Sequence, residues 1–82
     1  MINVLYFAWV RERIGQPHET LETSAATVND LISELCARDA RYALAFSDLS
    51  AIRVAVDQTL VELETPLAGA REVAFFPPMT GG

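Results

Sequence analysis

Ile2 to Trp9 is apolar or β-prone at almost every position and contains no breaker, which predicts a first strand. A period of two places Ile2, Val4, Tyr6 and Ala8 on one face, and Leu5, Phe7 and Trp9 on the other. With both faces apolar, either the strand is central and covered twice, or its second face meets a partner. Gly15-Gln16-Pro17 reads as a turn and His18 to Glu22 as a short return strand, so the chain opens like a hairpin.

The pattern then changes period. Val28, Leu31, Ile32, Leu35 and Cys36 recur at i, i+3, i+4, i+7 and i+8, one apolar stripe on an amphipathic helix. Thr27 precedes it as an N-cap, and Asp30 stands three residues on as a weaker form of the capping-box acid. Ala40 to Phe46 reads as a further helical turn or two. Alternation returns where Ile52, Val54 and Val56 interleave with Arg53, Ala55 and Asp57. Asp57-Gln58 turns the chain into Thr59 to Leu63. After a loop over Pro66 to Ala70, Glu72 to Phe76 forms the last strand, with Val73 and Phe75 on one face and Ala74 and Phe76 on the other.

The order β-β-α-β-β, ending on a strand, predicts a two-layer α+β domain with one main helix packed on one face of the sheet. If the first and last strands pair in parallel at the centre of a mixed sheet, the fold is a β-grasp, the ubiquitin-like roll. The expected division is a β-grasp domain over 1–78 and a flexible tail over 79–82.

Composition sharpens this picture. The 82 residues fit one small domain, yet 51% are apolar, more than so small a core requires, so part of the apolar surface is expected to serve as a docking face. A net charge of −5 lacks the footprint of a nucleic-acid binder and suits an anionic membrane poorly. All six basic residues are arginine, so an activated acyl group at the C-terminus would meet no side-chain amine in its own chain. A GC-rich genome would produce the same bias. One cysteine excludes an internal disulfide framework. The apolar start has no basic flank and is interrupted by Asn3, unlike a signal peptide, and no run approaches the ~20 residues of a membrane span. A soluble, cytoplasmic protein is expected.

The candidate chemistry lies in the last ten residues, Val73 to Gly82, where no side chain is charged. Pro77-Pro78 stops the strand and stiffens its exit. Met79-Thr80-Gly81-Gly82 can then reach roughly 13–14 Å when extended. Two glycines carry no Cβ, so this end suits a narrow channel, and an uncharged tail enters one without burying an ionised side chain. The terminal carboxylate, with a pKa of about 3.5, is a poor electrophile at neutral pH and needs an activating partner. No phosphate-binding glycine loop and no metal or nucleophile cluster is evident in the chain to activate it.

Val4-Leu5-Tyr6-Phe7-Ala8, Val10-Arg11-Glu12, Val54 to Val61, Pro66-Leu67 and, most specifically, Glu72 to Gly82 together form a recognisable set. On these stretches the chain resembles the small, sulfur-carrier subunit of molybdopterin synthase. Gly69-Ala70-Arg71 departs from the family's usual Asp-Gly-Asp turn. The resemblance implies that Gly82 is adenylated, converted to a thiocarboxylate, and donates sulfur to cyclic pyranopterin monophosphate in the large subunit, with Gly81 supplying room. It implies a non-catalytic subunit that binds no cofactor and carries AMP and then sulfur covalently. The implied partners are a large subunit (two small and two large per synthase), an ATP-dependent adenylating enzyme and a sulfurtransferase, with no nucleic acid and no membrane. Phe7, Leu60 and Phe76 would form the docking patch, where aromatic anchors often carry much of the energy. Core packing is the alternative for Phe7 and Phe76. Arg11 would contact a partner's acidic surface or stay solvated. Cys36 reads as a small hydrophobe on the buried stripe, and His18 as a surface residue. Another ubiquitin-like sulfur carrier, of the thiamin or cysteine type, a protein modifier, and a plain interaction module with an idle tail are the other readings.

Overall fold

A computed structural model describes residues 1–78 of the chain. Its elements are β1 (Ile2–Tyr6), α1 (Ala8–Ile14), β2 (His18–Leu21), α2 (Val28–Arg38), α3 (Ala40–Ala45), a 3₁₀ turn (Leu49–Ala51), β3 (Arg53–Val56), β4 (Thr59–Val61) and β5 (Glu72–Phe76). The sheet runs β2-β1-β5-β3-β4. β1 and β5 pair in parallel at its centre, Val4 beside Val73 and Tyr6 beside Phe75, and the remaining pairs are antiparallel. The first and last strands therefore meet in parallel, the condition that alternation leaves open, and the fold is a mixed-sheet α+β roll.

The first strand is shorter than its β-prone run suggested. It stops at Tyr6, and Ala8 and Trp9 belong to α1. Ala8 takes a left-handed φ of 52°, and the Phe7 carbonyl accepts the Val10 N–H at 3.1 Å, so the chain leaves the strand within one residue. The gain that outweighs β-propensity is burial: Val10 and Ile14, one helical turn apart, are fully enclosed in the core. Gly15 closes the helix in the left-handed region at φ 92°, its N–H donating to the Arg11 carbonyl at 2.8 Å. β1 and β2 are thus antiparallel neighbours joined by a helix, and not a tight hairpin.

α2 forms as its stripe requires. The Thr27 hydroxyl accepts the Asp30 N–H at 3.2 Å. Two further N–H groups of the first turn find strand-like carbonyls outside the helix: Val28 on Thr65 at 3.1 Å and Asn29 on Leu63 at 2.9 Å. Those contacts draw the chain after β4 toward the helix, so β4 ends at Val61 and does not run on to Leu63. Cys36, expected on the buried stripe, is half-buried at its margin, and burial pushes its thiol pKa up. Asp39 caps α3, its carboxylate accepting the Arg41 N–H at 3.0 Å.

Buried side chains of all three helices share one core with Val4, Tyr6, Val54, Val73 and Phe75. Phe75 stands at its centre, stacked on Tyr6 at 6.2 Å and edge-on to Phe46 at 5.0 Å. The polar tip of Tyr6 is accommodated by Glu19 of β2, whose Oε2 accepts both the Tyr6 hydroxyl at 2.7 Å and the Tyr42 hydroxyl at 2.6 Å. Arg38 lies 3.7 Å from the other oxygen. Burial first, then the hydrogen bond to Glu19, raises the pKa of both phenols above the ordinary value of 10.

This network makes an alkaline limit. An unfolded phenol ionises near 10, and the folded phenols ionise higher, so the unfolded state loses its protons first. The stabilisation is complete below about pH 10 and disappears as pH rises through the folded values. Tyr6 and Tyr42 are the chain's two tyrosines, so the tyrosinate absorbance is expected to appear late and together with loss of the circular dichroism signal. Glu19→Gln should cost roughly 1.5–3 kcal/mol in chemical denaturation, the range for hydrogen bonds to a charged group.

Candidate functional site

One side of the sheet carries the helices and the main core cluster, and on the other side Ala74 is, among the described residues, the one strand residue that is buried. Pairing register fixes what lies on that second side. Leu5 pairs with Ala74, Ala74 with Ala55, and Ala55 with Leu60, giving one apolar row across four strands, with His18 at its β2 end. The next row lies toward the C-terminal end of β5. There the Phe7 N–H donates to the Phe75 carbonyl at 3.1 Å, carrying the parallel ladder one residue past β1, and Phe76 pairs with Arg53. Phe7 is 46% exposed and Leu60 65% exposed. Large apolar side chains this open to water, in one continuous region, are the mark of an interaction surface.

The structure thus brings Phe7, Leu60 and Phe76, the three residues that the resemblance grouped, to the same side. It answers the core-packing alternative as well: neither phenylalanine joins the buried core cluster, and Phe76 is half-buried at the strand's end. Arg11 is exposed on α1 and not on the sheet, one turn beyond Phe7, whose carbonyl its N–H approaches at 3.4 Å. His18 is exposed, as expected. Sequence reasoning placed Ala74 on the face of Phe76 but did not name Ala55 or Arg53 as members of it. Alternation alone assigns a residue to one of two sides, and only the strand register shows which residues become neighbours. Gly81 and Gly82 lie outside the described residues.

The end of β5 is aimed by its beginning. Asp57 and Gln58, with φ of 49° and 70°, form the two-residue loop between β3 and β4, which requires positive φ at both positions. Asp57 Oδ1 then accepts the N–H groups of Arg71 and Glu72, each at 3.0 Å, and its own N–H donates to the Glu72 carbonyl at 2.9 Å. Before that, Gly69 at φ 77° and the Ala70 N–H on the Leu67 carbonyl at 2.9 Å close the Gly69-Ala70-Arg71 turn. The atypical turn therefore still delivers β5 into register. From there Phe75 stays in the core, Phe76 faces out, and Pro77-Pro78 follow half-buried.

Among the described residues no group of three His, Cys, Asp or Glu could hold a metal ion, and no helix is long and apolar enough to cross a membrane. What the arrangement offers is an apolar face with Pro77-Pro78 leaving the sheet beside it. Comparison with known proteins gives that pair a context. Residues 4–82 match the ThiS family. The whole chain is 45% identical over 82 residues to the full-length molybdopterin synthase sulfur carrier subunit of Escherichia coli (strain K12).

The chain belongs to the family of molybdopterin synthase sulfur carrier subunits.

Another member, the molybdopterin synthase sulfur carrier subunit of Haemophilus influenzae, is 42% identical, again over the full length of both chains. The crystal structure of SAMP1 from Haloferax volcanii superimposes with a TM-score of 0.73 over 99% of this chain and 98% of that one; at 23% identity it speaks for the fold, the ubiquitin-like β-grasp.

The division of the sheet into a core side and an open side predicts a division in stability. Phe75→Ala should cost roughly 3–5 kcal/mol, the range for a buried aromatic, whereas Leu60→Ala should stay within about 0.5 kcal/mol, as for surface substitutions. Urea denaturation of the two variants checks this; equal losses would put Leu60 in the core.

Proposed function

We propose that this chain is the sulfur-carrying subunit of a molybdopterin synthase in molybdenum cofactor biosynthesis. The observation that carries the reading is full-length kinship with named sulfur carrier subunits, and the open apolar face, beside which Pro77-Pro78 leave the sheet, supports it together with the Gly-Gly end of the sequence. In the first step an adenylating enzyme brings the Gly82 carboxylate onto the α-phosphorus of ATP; an acyl–phosphate bond forms and pyrophosphate leaves. A sulfurtransferase then delivers sulfur to the acyl carbon at the level of sulfide, a thiol supplying the two electrons where the donor is a persulfide. The bond to AMP breaks, AMP departs with the electron pair, and Gly82 becomes a thiocarboxylate.

In the large synthase subunit the Gly82 sulfur bonds to a carbon of cyclic pyranopterin monophosphate; water then cleaves the acyl carbon–sulfur bond, which returns the Gly82 carboxylate and leaves the sulfur on the pterin for the dithiolene. Two small and two large subunits make the assembly. The small subunit holds no resident cofactor and supplies no general acid or base. Its part is reach and placement: Phe7, Leu60 and Phe76, with Arg11 at the rim, seat it on the large subunit, Pro77-Pro78 direct the tail, and Gly81 lets it pass. Residues 79–82 act as a slim extension of a rigid domain over 1–78, and the cycle runs in the cytoplasm.

Intact mass of the protein from cells making molybdopterin tests the central step. A thiocarboxylate at Gly82 adds about 16 Da by exchange of oxygen for sulfur, the mass of a covalent intermediate. Finding carboxylate alone, together with full activity of a Gly82 deletion, contradicts the proposal. Phe76→Arg should abolish association with the large subunit while circular dichroism stays native, because a charge would be buried at the centre of the interface.

A further inference from the structure

The last paired residue of β5 on the open side, Phe76, has Arg53 as its partner on β3. Arg53 is therefore the side chain beside the point where Pro77-Pro78 leave the sheet, and it continues the Phe7–Phe76 row. Its guanidinium is already held in place. Nη1 donates to the carbonyls of Ser50 at 3.2 Å and Ile52 at 3.0 Å, both at the 3₁₀ turn that precedes β3. One nitrogen is engaged with backbone, and the other donors of the fork have no protein partner among the described residues. The ion pairs formed there are Arg38 with Glu19 and Arg41 with Asp39. Glu62, which lines the same groove as Arg53, Leu49 and Leu60, stays beyond ion-pair distance.

An unpaired, pre-positioned cation at the rim of an apolar face, in a chain of net charge −5, marks a place where the covering surface supplies the anion. The tail limits what that surface can be. Four residues follow Pro78, a reach of roughly 13–14 Å, so any protein that takes Gly82 into its active site lies against this edge of the sheet. We propose that Arg53 is a specificity-determining contact for the large synthase subunit, donating to a carboxylate of that subunit next to the channel that receives the tail. The inference rests on the sulfur-carrier reading above and adds to it the charge of the partner's rim. Because its side chain is fixed before binding, Arg53 gives up little conformational entropy in making the pair. A planar fork also favours a carboxylate over a neutral acceptor.

The test is association of the full-length chain with its own large subunit, followed by calorimetry at low and high salt. Arg53→Gln should weaken binding about three- to tenfold at low salt, with the difference shrinking as salt screens the pair. Arg53→Glu should weaken it further, and Arg53→Lys should recover part of the loss. Phe76→Arg serves as the reference. If Phe76→Arg abolishes binding while Arg53→Gln changes neither affinity nor salt dependence, the Arg53 contact is refuted and the docking face stands. If neither variant changes binding, the docking face itself falls. Sedimentation in which Arg53→Gln alters self-association and leaves partner binding intact would assign the contact to a second copy and overturn the proposal.

Discussion

Parallel pairing of β1 with β5 is the constraint on which the other features depend. It joins the two ends of the chain at the centre of the sheet, with Val4 against Val73 and Tyr6 against Phe75. Parallel neighbours cannot be linked by a tight turn, so everything between them has to travel around the sheet: one helix and an edge strand on the β2 side, then two helices and a hairpin on the other. Because β1 and β5 run the same way, Phe7 and Phe76 come out at the same end. That is the end from which Pro77-Pro78 depart, so the tail and its flanking aromatics are placed by one interaction.

The same pairing sorts the side chains. Residues in phase with Val73 and Phe75 face three helices and build the core; residues in phase with Ala74 and Phe76 lie on the other side, where Ala74 is buried among its neighbours and Phe76 is half-buried. A single strand thus contributes to folding with one side and to recognition with the other. The cost of burying tyrosine hydroxyls in this small core is met by Glu19, which also ties the edge strand β2 to α3 through Tyr42. Asp57 plays the corresponding part at the start of β5, holding the strand's first N–H groups in register.

How much of this was legible depended on how local the deciding forces are. α2 was readable because its stripe and its Thr27 cap lie within a dozen residues, and Glu72 to Phe76 was readable to its ends because Pro77 closes it. The parallel contact of the two end strands was not legible, because periodicity places an apolar run at each end of the chain and says nothing of how the two pair. α1 was not seen: Trp9, Val10 and Ile14 are all good strand formers, and what makes them helical is the enclosure of Val10 and Ile14 by distant residues. The signals present were their spacing of four and Gly15 just beyond. Glu19 read as an ordinary strand residue, since its partners Tyr6 and Tyr42 stand 13 and 23 positions away. At the site, the alternation named Phe7 and Phe76, but Arg53 became their neighbour only through register.

The central claim is that the helix-free side of the sheet is the surface through which this carrier works. Amide chemical-shift mapping by NMR, with the labelled chain titrated with its large subunit, tests it most directly. The account predicts that perturbations concentrate at Leu5, Phe7, Arg53, Ala55, Leu60, Ala74 and Phe76, and spare Leu31, Leu35 and the rest of α2. Perturbations centred on α2 and α3, with the open face unchanged, would contradict it.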